Sequence, residues 1–450
     1  MSEQPDQAAP ISTWRSMARS LAHRNYRLFF VGQGISLIGT WMTRVATGWL
    51  VFRLSGPDSA FLLGVVGFAG QVPSFFLTPF AGVLVDRWNR HRLLVLTQIL
   101  SLIQSALLAV VAFRGEPGAT TIWLVVILSL IQGLINAFDM PARQAFLVEM
   151  IARKEDLANA IALNSSLVNS ARLVGPSVAG ILIALAGEGW CFLIDAISYV
   201  AVVLALLAMQ LPAREKRHHP PPMWHGMVEG FRYAFGFAPI RTVLLLLALV
   251  SFMGMPYTVL MPIFAADILQ GGPYALGFLS AASGVGALIG ALYLASRNTV
   301  LGLGNAIVVS TLVFGVGLIG FAFSTVLWLS LLLMVLTGFG MMVQMAASNT
   351  ILQTIVDEDK RGRVMSYYGM AFLGMTPFGS LFAGTLAGWI GADNTVMIGG
   401  IACMVGAVMF AIRLPYLRTL VRPIYTRMGI VSEVATGVQS ATDLPQPPTH

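Results

Sequence analysis

What most constrains this chain is a series of apolar stretches, each about 20 residues long, that recurs almost from end to end. A stretch of that length crosses about 30 Å of hydrocarbon as an α-helix. Where water does not reach the backbone, every amide must be satisfied internally, so only helices and closed barrels can span. The stretches do not alternate apolar and polar residues as barrel strands do. The reading is therefore an all-α membrane protein with twelve transmembrane helices, over 28–54, 61–85, 93–113, 122–140, 158–185, 190–211, 243–265, 276–295, 307–323, 326–350, 364–390 and 396–414. Only 10% of residues are charged, against about 25% in an ordinary soluble domain.

The basic residues give the expected orientation. Of 27 Lys and Arg, Arg53 and Arg114 fall at one face, Arg44 and Arg172 lie inside spans, and the others gather at the opposite face. Positive charge marks the cytoplasmic side, so both termini are expected there. This distribution accounts for the net charge of +7 without nucleic acid as a partner. The first 27 residues carry arginines but no apolar core, unlike a cleavable signal peptide. The organisation is expected to be a cytoplasmic segment 1–27, a six-helix bundle 28–211, a cytoplasmic linker 212–241, a second bundle 242–414 and a cytoplasmic tail 415–450. A weak repeat supports two pseudo-symmetric bundles: Gly175-Pro-Ser-Val-Ala-Gly180 in span five matches Gly379-Ser-Leu-Phe-Ala-Gly384 in span eleven.

Charge inside a membrane is costly and marks candidate functional positions. All six histidines fall outside the spans, and Asp195 is the acid placed well inside one. Arg44 and Asp195 lie at similar depths, so a buried, proton-sensitive ion pair between them is one expectation and a purely structural pair the other. No nucleotide-binding Gly-x-x-x-x-Gly-Lys loop, paired-carboxylate site, metal-ligand spacing or nucleophile setting occurs, so neither an enzyme nor a cofactor is expected. Cys191 and Cys403 provide no disulfide framework.

Three motifs carry a family likeness. The loop after span two reads Gly82-Val-Leu-Val-Asp86-Arg87-Trp-Asn89-Arg90-His-Arg92; span five holds Ala171-Arg172-Leu-Val-Gly175-Pro176; and Asp139-Met-Pro141-Ala-Arg143 closes span four, echoed by Asp359-Lys-Arg361-Gly-Arg363. These resemble the major facilitator superfamily, in the branch of the bacterial enterobactin exporter and drug-exporter-like proteins, over roughly residues 20 to 415. Asn89 stands where the family has a glycine, a mild departure, since Asn is the side chain that best tolerates a left-handed turn.

The resemblance implies a secondary transporter of the bacterial inner membrane, a proton-coupled exporter of a small amphiphile working by alternating access as a monomer.

 It further implies that Gly82, Asp86, Arg87, Arg90, Asp139 and Arg143 form a conformational latch and that Gly175, Pro176 and Gly180 make an antiporter motif. Asp195 and Arg44 are the proton-coupling candidates on their depth alone, and the superfamily's placement of span six outside the cavity favours the structural pair. In the superfamily, spans one and five line a central cavity. That places Gln33, Trp41, Arg44, Asn136, Asn164, Asn169 and Arg172 there, with Tyr257, Gln344, Asn349 and Tyr367 from the second half. An unbalanced arginine beside the cavity suits an anionic, siderophore-like or carboxylated ligand. An importer or facilitator remains the alternative, and a membrane enzyme a more distant one.

Overall fold

The computed structural model describes residues 19–151, 153–210, 223–297 and 299–430, with the backbone alone at several positions, Gly82, Asp86 and Arg87 among them. The rest of the expected linker and tail, 212–222 and 431–450, lies outside the described residues. Among the described residues there is no strand, and eleven helices are long and apolar enough to cross a membrane. Span one, Arg24–Ser55, carries Arg24, Arg27, Arg44 and Arg53, and completes the twelve.

In the first half, span two is broken at Gly70–Gln71 into Ser59–Ala69 and Val72–Arg87. Spans three to six are Arg90–Arg114, Ala119–Glu149, Lys154–Ala186 and Glu188–Leu207. A linker helix, Met223–Gly236, follows. Span seven runs from Ala238 through two π-helical turns, Val250–Gly254 and Phe264–Ile268. Spans eight to ten are Gly272–Ala295, Leu303–Phe323 and Leu327–Ile355. Span eleven, from Glu358 to Ile390, has a π turn at Met370–Gly374, and span twelve, Ala392–Arg427, continues beyond the expected end of the bundle.

The internal repeat is visible in the backbone. Spans five and six join through Gly187 alone, at φ 91°, and spans eleven and twelve through Gly391, at φ 92°. A side chain at either φ would be strained, which explains glycine at both. Asn89 does not use its tolerance of a left-handed turn: it is extended (φ −73°, ψ 108°), and its side chain accepts from the Arg92 amide at 3.1 Å. It caps span three and makes no left-handed turn, because an N-cap needs an extended backbone.

The halves meet chiefly at the end of the molecule opposite the chain termini. Span five crosses span eight at Gly180 and Gly277, and span two crosses span eleven at Gly64 and Gly384. A Cβ on Gly180 would lie 2.7 Å from the Pro273 carbonyl oxygen, and one on Gly384 would lie 2.6 Å from that of Ala60. Both crossings are backbone against backbone, a contact that small residues permit in membranes. Closer to the termini, Ser165, Ser166 and Ser170 of span five are exposed, so a polar-walled cleft opens toward that end.

Candidate functional site

The cleft ends in a cationic, aromatic floor. The Arg44 guanidinium carbon lies 4.7 Å from the Trp41 ring centroid, and that of Arg172 lies 5.8 Å from the same ring. The local sequence dictates this meeting. Span one carries Trp41 and Arg44 three residues apart, hence on one face. Gly175 lets span five press against span one, since a Cβ there would run into Trp41 and lie 3.0 Å from the Ile38 carbonyl oxygen. Pro176 has no amide for the Arg172 carbonyl, and that carbonyl faces Gly284 of span eight.

Cation–π contact stabilises each arginine by about 0.5–2 kcal/mol, depending on desolvation. That does not neutralise charge. Among the described residues neither Arg44 nor Arg172 has an acidic partner. Arg44 keeps an exposed side chain and Arg172 a half-buried one, so both guanidinium groups can receive an acceptor. Tyr257, buried and sharing a 2.9 Å hydrogen bond with Ser283, lies within electrostatic reach of Arg172 from the second half.

The other expected cavity residues divide. Asn136, Asn164, Asn169 and Asn349 are half-buried, whereas Gln33 and Gln344 are buried. Asn136 accepts from Gln132 at 3.0 Å, Asn169 donates to its own helix at Ser165, and Asn349 accepts from Gln353. Tyr367 packs its ring against Phe231 and Phe235 of the linker helix.

Arg44 and Asp195 form no ion pair. Asp195 Oδ2 instead accepts from Thr43 Oγ1 at 2.7 Å and Ser105 Oγ at 2.9 Å, while Oδ1 lies against Gly39. Of the expected latch, Arg90 pairs with Glu149 at 2.7 Å and Asp139 with Arg143. Asp139 also accepts from Thr97 and Gln98 at 2.8 and 2.7 Å. Sequence reasoning missed Thr43, Ser105 and the row Thr97, Gln98, Ser101, Gln104 and Ser105 on one face of span three. The row's helical spacing was the available signal.

The chain is similar to known transporters along most of its length. A staphyloferrin A transporter of Staphylococcus aureus is 27% identical over 392 residues, covering 85% of this chain and 95% of its own. A multidrug efflux pump, Tap, of Mycobacterium tuberculosis is 29% identical over 396 residues, covering 86% and 91%. A bacterial homologue of the lysosomal transporter Spinster, solved inward-facing and unoccupied, superposes with a TM-score of 0.67 at 15% identity, over 90% of this chain and 98% of that one. The family model described as "Transmembrane secretion effector" matches residues 15–423. The chain is a multi-pass membrane protein of that family, within the major facilitator superfamily of small-molecule transporters.

Proposed function

We propose that this chain exports an acidic amphiphile from the bacterial cytoplasm by alternating access, driven by proton entry and acting as a monomer in the inner membrane. The observation that carries the reading is Arg44 and Arg172 gathered on the one Trp41 ring at the floor of the cleft. A carboxylate or a pair of phenolic oxygens takes two parallel hydrogen bonds from a guanidinium, and an attached ring or chain stacks on the indole. The basic face bearing the termini is cytoplasmic, so the cleft opens toward the cytoplasm and the glycine crossings close the outer side. The names of the relatives, a staphyloferrin A transporter and an efflux pump, support export of small molecules.

The test is efflux of carboxylated and catecholic amphiphiles, and of lipophilic cations, from energised vesicles with and without a protonophore. Acidic compounds should leave in a protonophore-sensitive manner. Arg172→Lys should keep part of that transport and Arg172→Gln should lose it. Inward accumulation independent of the gradient, or tight binding of lipophilic cations with indifference to their acidic analogues, would overturn the proposal.

A further inference from the structure

The interior of the first bundle holds a second polar feature, separate from the cleft. Its apolar side chains form two clusters, one around Met42, Leu50, Leu108 and Phe192, the other around Tyr26, Phe29, Phe146 and Leu206. Between them lie Ser36, Thr97, Gln98, Ser101, Gln104, Ser105 and Asp195, none more than 4% exposed. Burying that many polar side chains costs free energy unless each finds a partner. Three of their atoms find none in the protein, Asp195 Oδ1, Ser36 Oγ and Gln98 Oε1, and neither does Oε1 of Gln132 on span four. Buried polar atoms of this kind are where internal water binds.

Asp195 sits at one end of this layer. Span one faces it with Gly39 and Thr43, span three with Ser105, and its own helix with Cys191 and Tyr199, whose hydroxyl lies 3.4 Å from that of Thr40. Among the described residues no cation reaches it, so taking up a proton removes a buried charge that has no counter-ion. At the other end is Asp139, held by Thr97, Gln98 and Arg143. Ser101, which accepts from Gln132 at 3.4 Å, lies between them. From Gln98 to Ser105 the helix rises about 10 Å.

We propose that the driving proton has its own route through the N-terminal bundle: it is held on Asp195 and leaves along the polar row of span three to Asp139, without crossing the substrate cleft. The inference rests on the proton-driven reading above. Thr43, which holds Asp195, is next to Arg44, so span one carries the proton site on one face and the docking arginine on another. Protonation of Asp195 thereby alters how span one seats.

Infrared difference spectroscopy of the full chain in lipid bilayers, between acid and alkaline pH and during exchange into heavy water, tests the route without a substrate. A protonated-carboxyl band should bleach with rising pH, vanish in Asp195→Asn, shift in Asp195→Glu and persist in Arg44→Gln. In Ser101→Val its deuterium exchange should slow about tenfold, equal to about 1.4 kcal/mol of barrier. No titrating band, or a band unchanged in both Asp195 variants, overturns the site. Exchange at the parent rate in Ser101→Val overturns the route. Efflux that ignores a protonophore while the band still titrates removes the proton-driven reading and leaves the site standing.

Discussion

The two bundles share a topology and differ in what fills them. The C-terminal bundle is packed around one continuous apolar cluster, from Leu247 and Phe264 through Phe314 and Phe321 to Phe410. The N-terminal bundle has two clusters parted by polar side chains, with the buried acids Asp139 and Asp195 at that level. The π-helical turns fall the other way. All three π-helical turns of the described residues lie in spans seven and eleven, near Pro256, Pro262 and Pro377. One half therefore holds the buried acids and the other the π-helical turns, although both share the same six-helix plan. A duplicated scaffold can divide binding and bending between its copies, because each bundle folds around its own core.

The glycine crossings are where the halves should behave alike, and they carry the largest expected effect. Gly180→Val and Gly384→Val each drive a side chain into a partner's backbone, which cannot move aside as a flexible side chain could. Each should lower transport about a hundredfold and raise labelling of cysteines placed at the end opposite the termini. A strong loss from one substitution and none from the other would break the symmetry. Next in size is the cleft. Arg44→Gln should cost about tenfold in transport of an acidic substrate, while Asn349→Ala in the second half should cost less than about threefold. Equal losses would show that the second bundle shares the charge recognition.

Stability should separate the interiors in the opposite order. Phe314 is fully buried in the C-terminal core, and Phe314→Ala should destabilise by about 3–5 kcal/mol. Ser105→Ala removes one hydrogen bond to Asp195 and should cost about 1 kcal/mol. Thermal unfolding in detergent, read as the midpoint of each variant against the parent, makes the comparison. A Ser105→Ala loss as large as that of Phe314→Ala would mean that the polar layer holds the first bundle together.

Much of this division was legible in the sequence, for physical reasons. Apolar runs fix the spans because a bilayer imposes their length. Asp195 stood out because an acid inside a span is rare. Its partners did not: Thr43 and Ser105 are ordinary hydroxyls in membrane helices, and only the fold brings spans one, three and six together. The repeat of Gly175–Gly180 and Gly379–Gly384 was readable, yet the facing Gly277 and Gly64 carry no sequence signal of their own. The expected Arg44–Asp195 pairing rested on depth alone, and depth does not say which way around a helix a side chain points. Residues 43 and 44 differ by about 100° around the axis, and Thr43 takes the carboxylate while Arg44 takes the indole.

The smallest expected effect concerns the linker helix, which the structure ties to the second bundle. Two kinds of contact hold it there. Phe231 and Phe235 stack with each other and meet the Tyr367 ring edge-on, and Glu229 pairs with Arg363 at 2.6 Å. The ion pair is exposed, at 58% for Glu229 and 38% for Arg363. Exposed pairs contribute about 0–1 kcal/mol because water and salt screen them. An aromatic pair contributes about 0.5–1.5 kcal/mol beyond the area it buries. Glu229→Gln should therefore leave proteolysis of the linker helix almost unchanged at physiological salt, and Tyr367→Ala should speed it severalfold. If Glu229→Gln had the larger effect, and the effect faded at high salt, electrostatics would be what fastens the linker helix to its bundle.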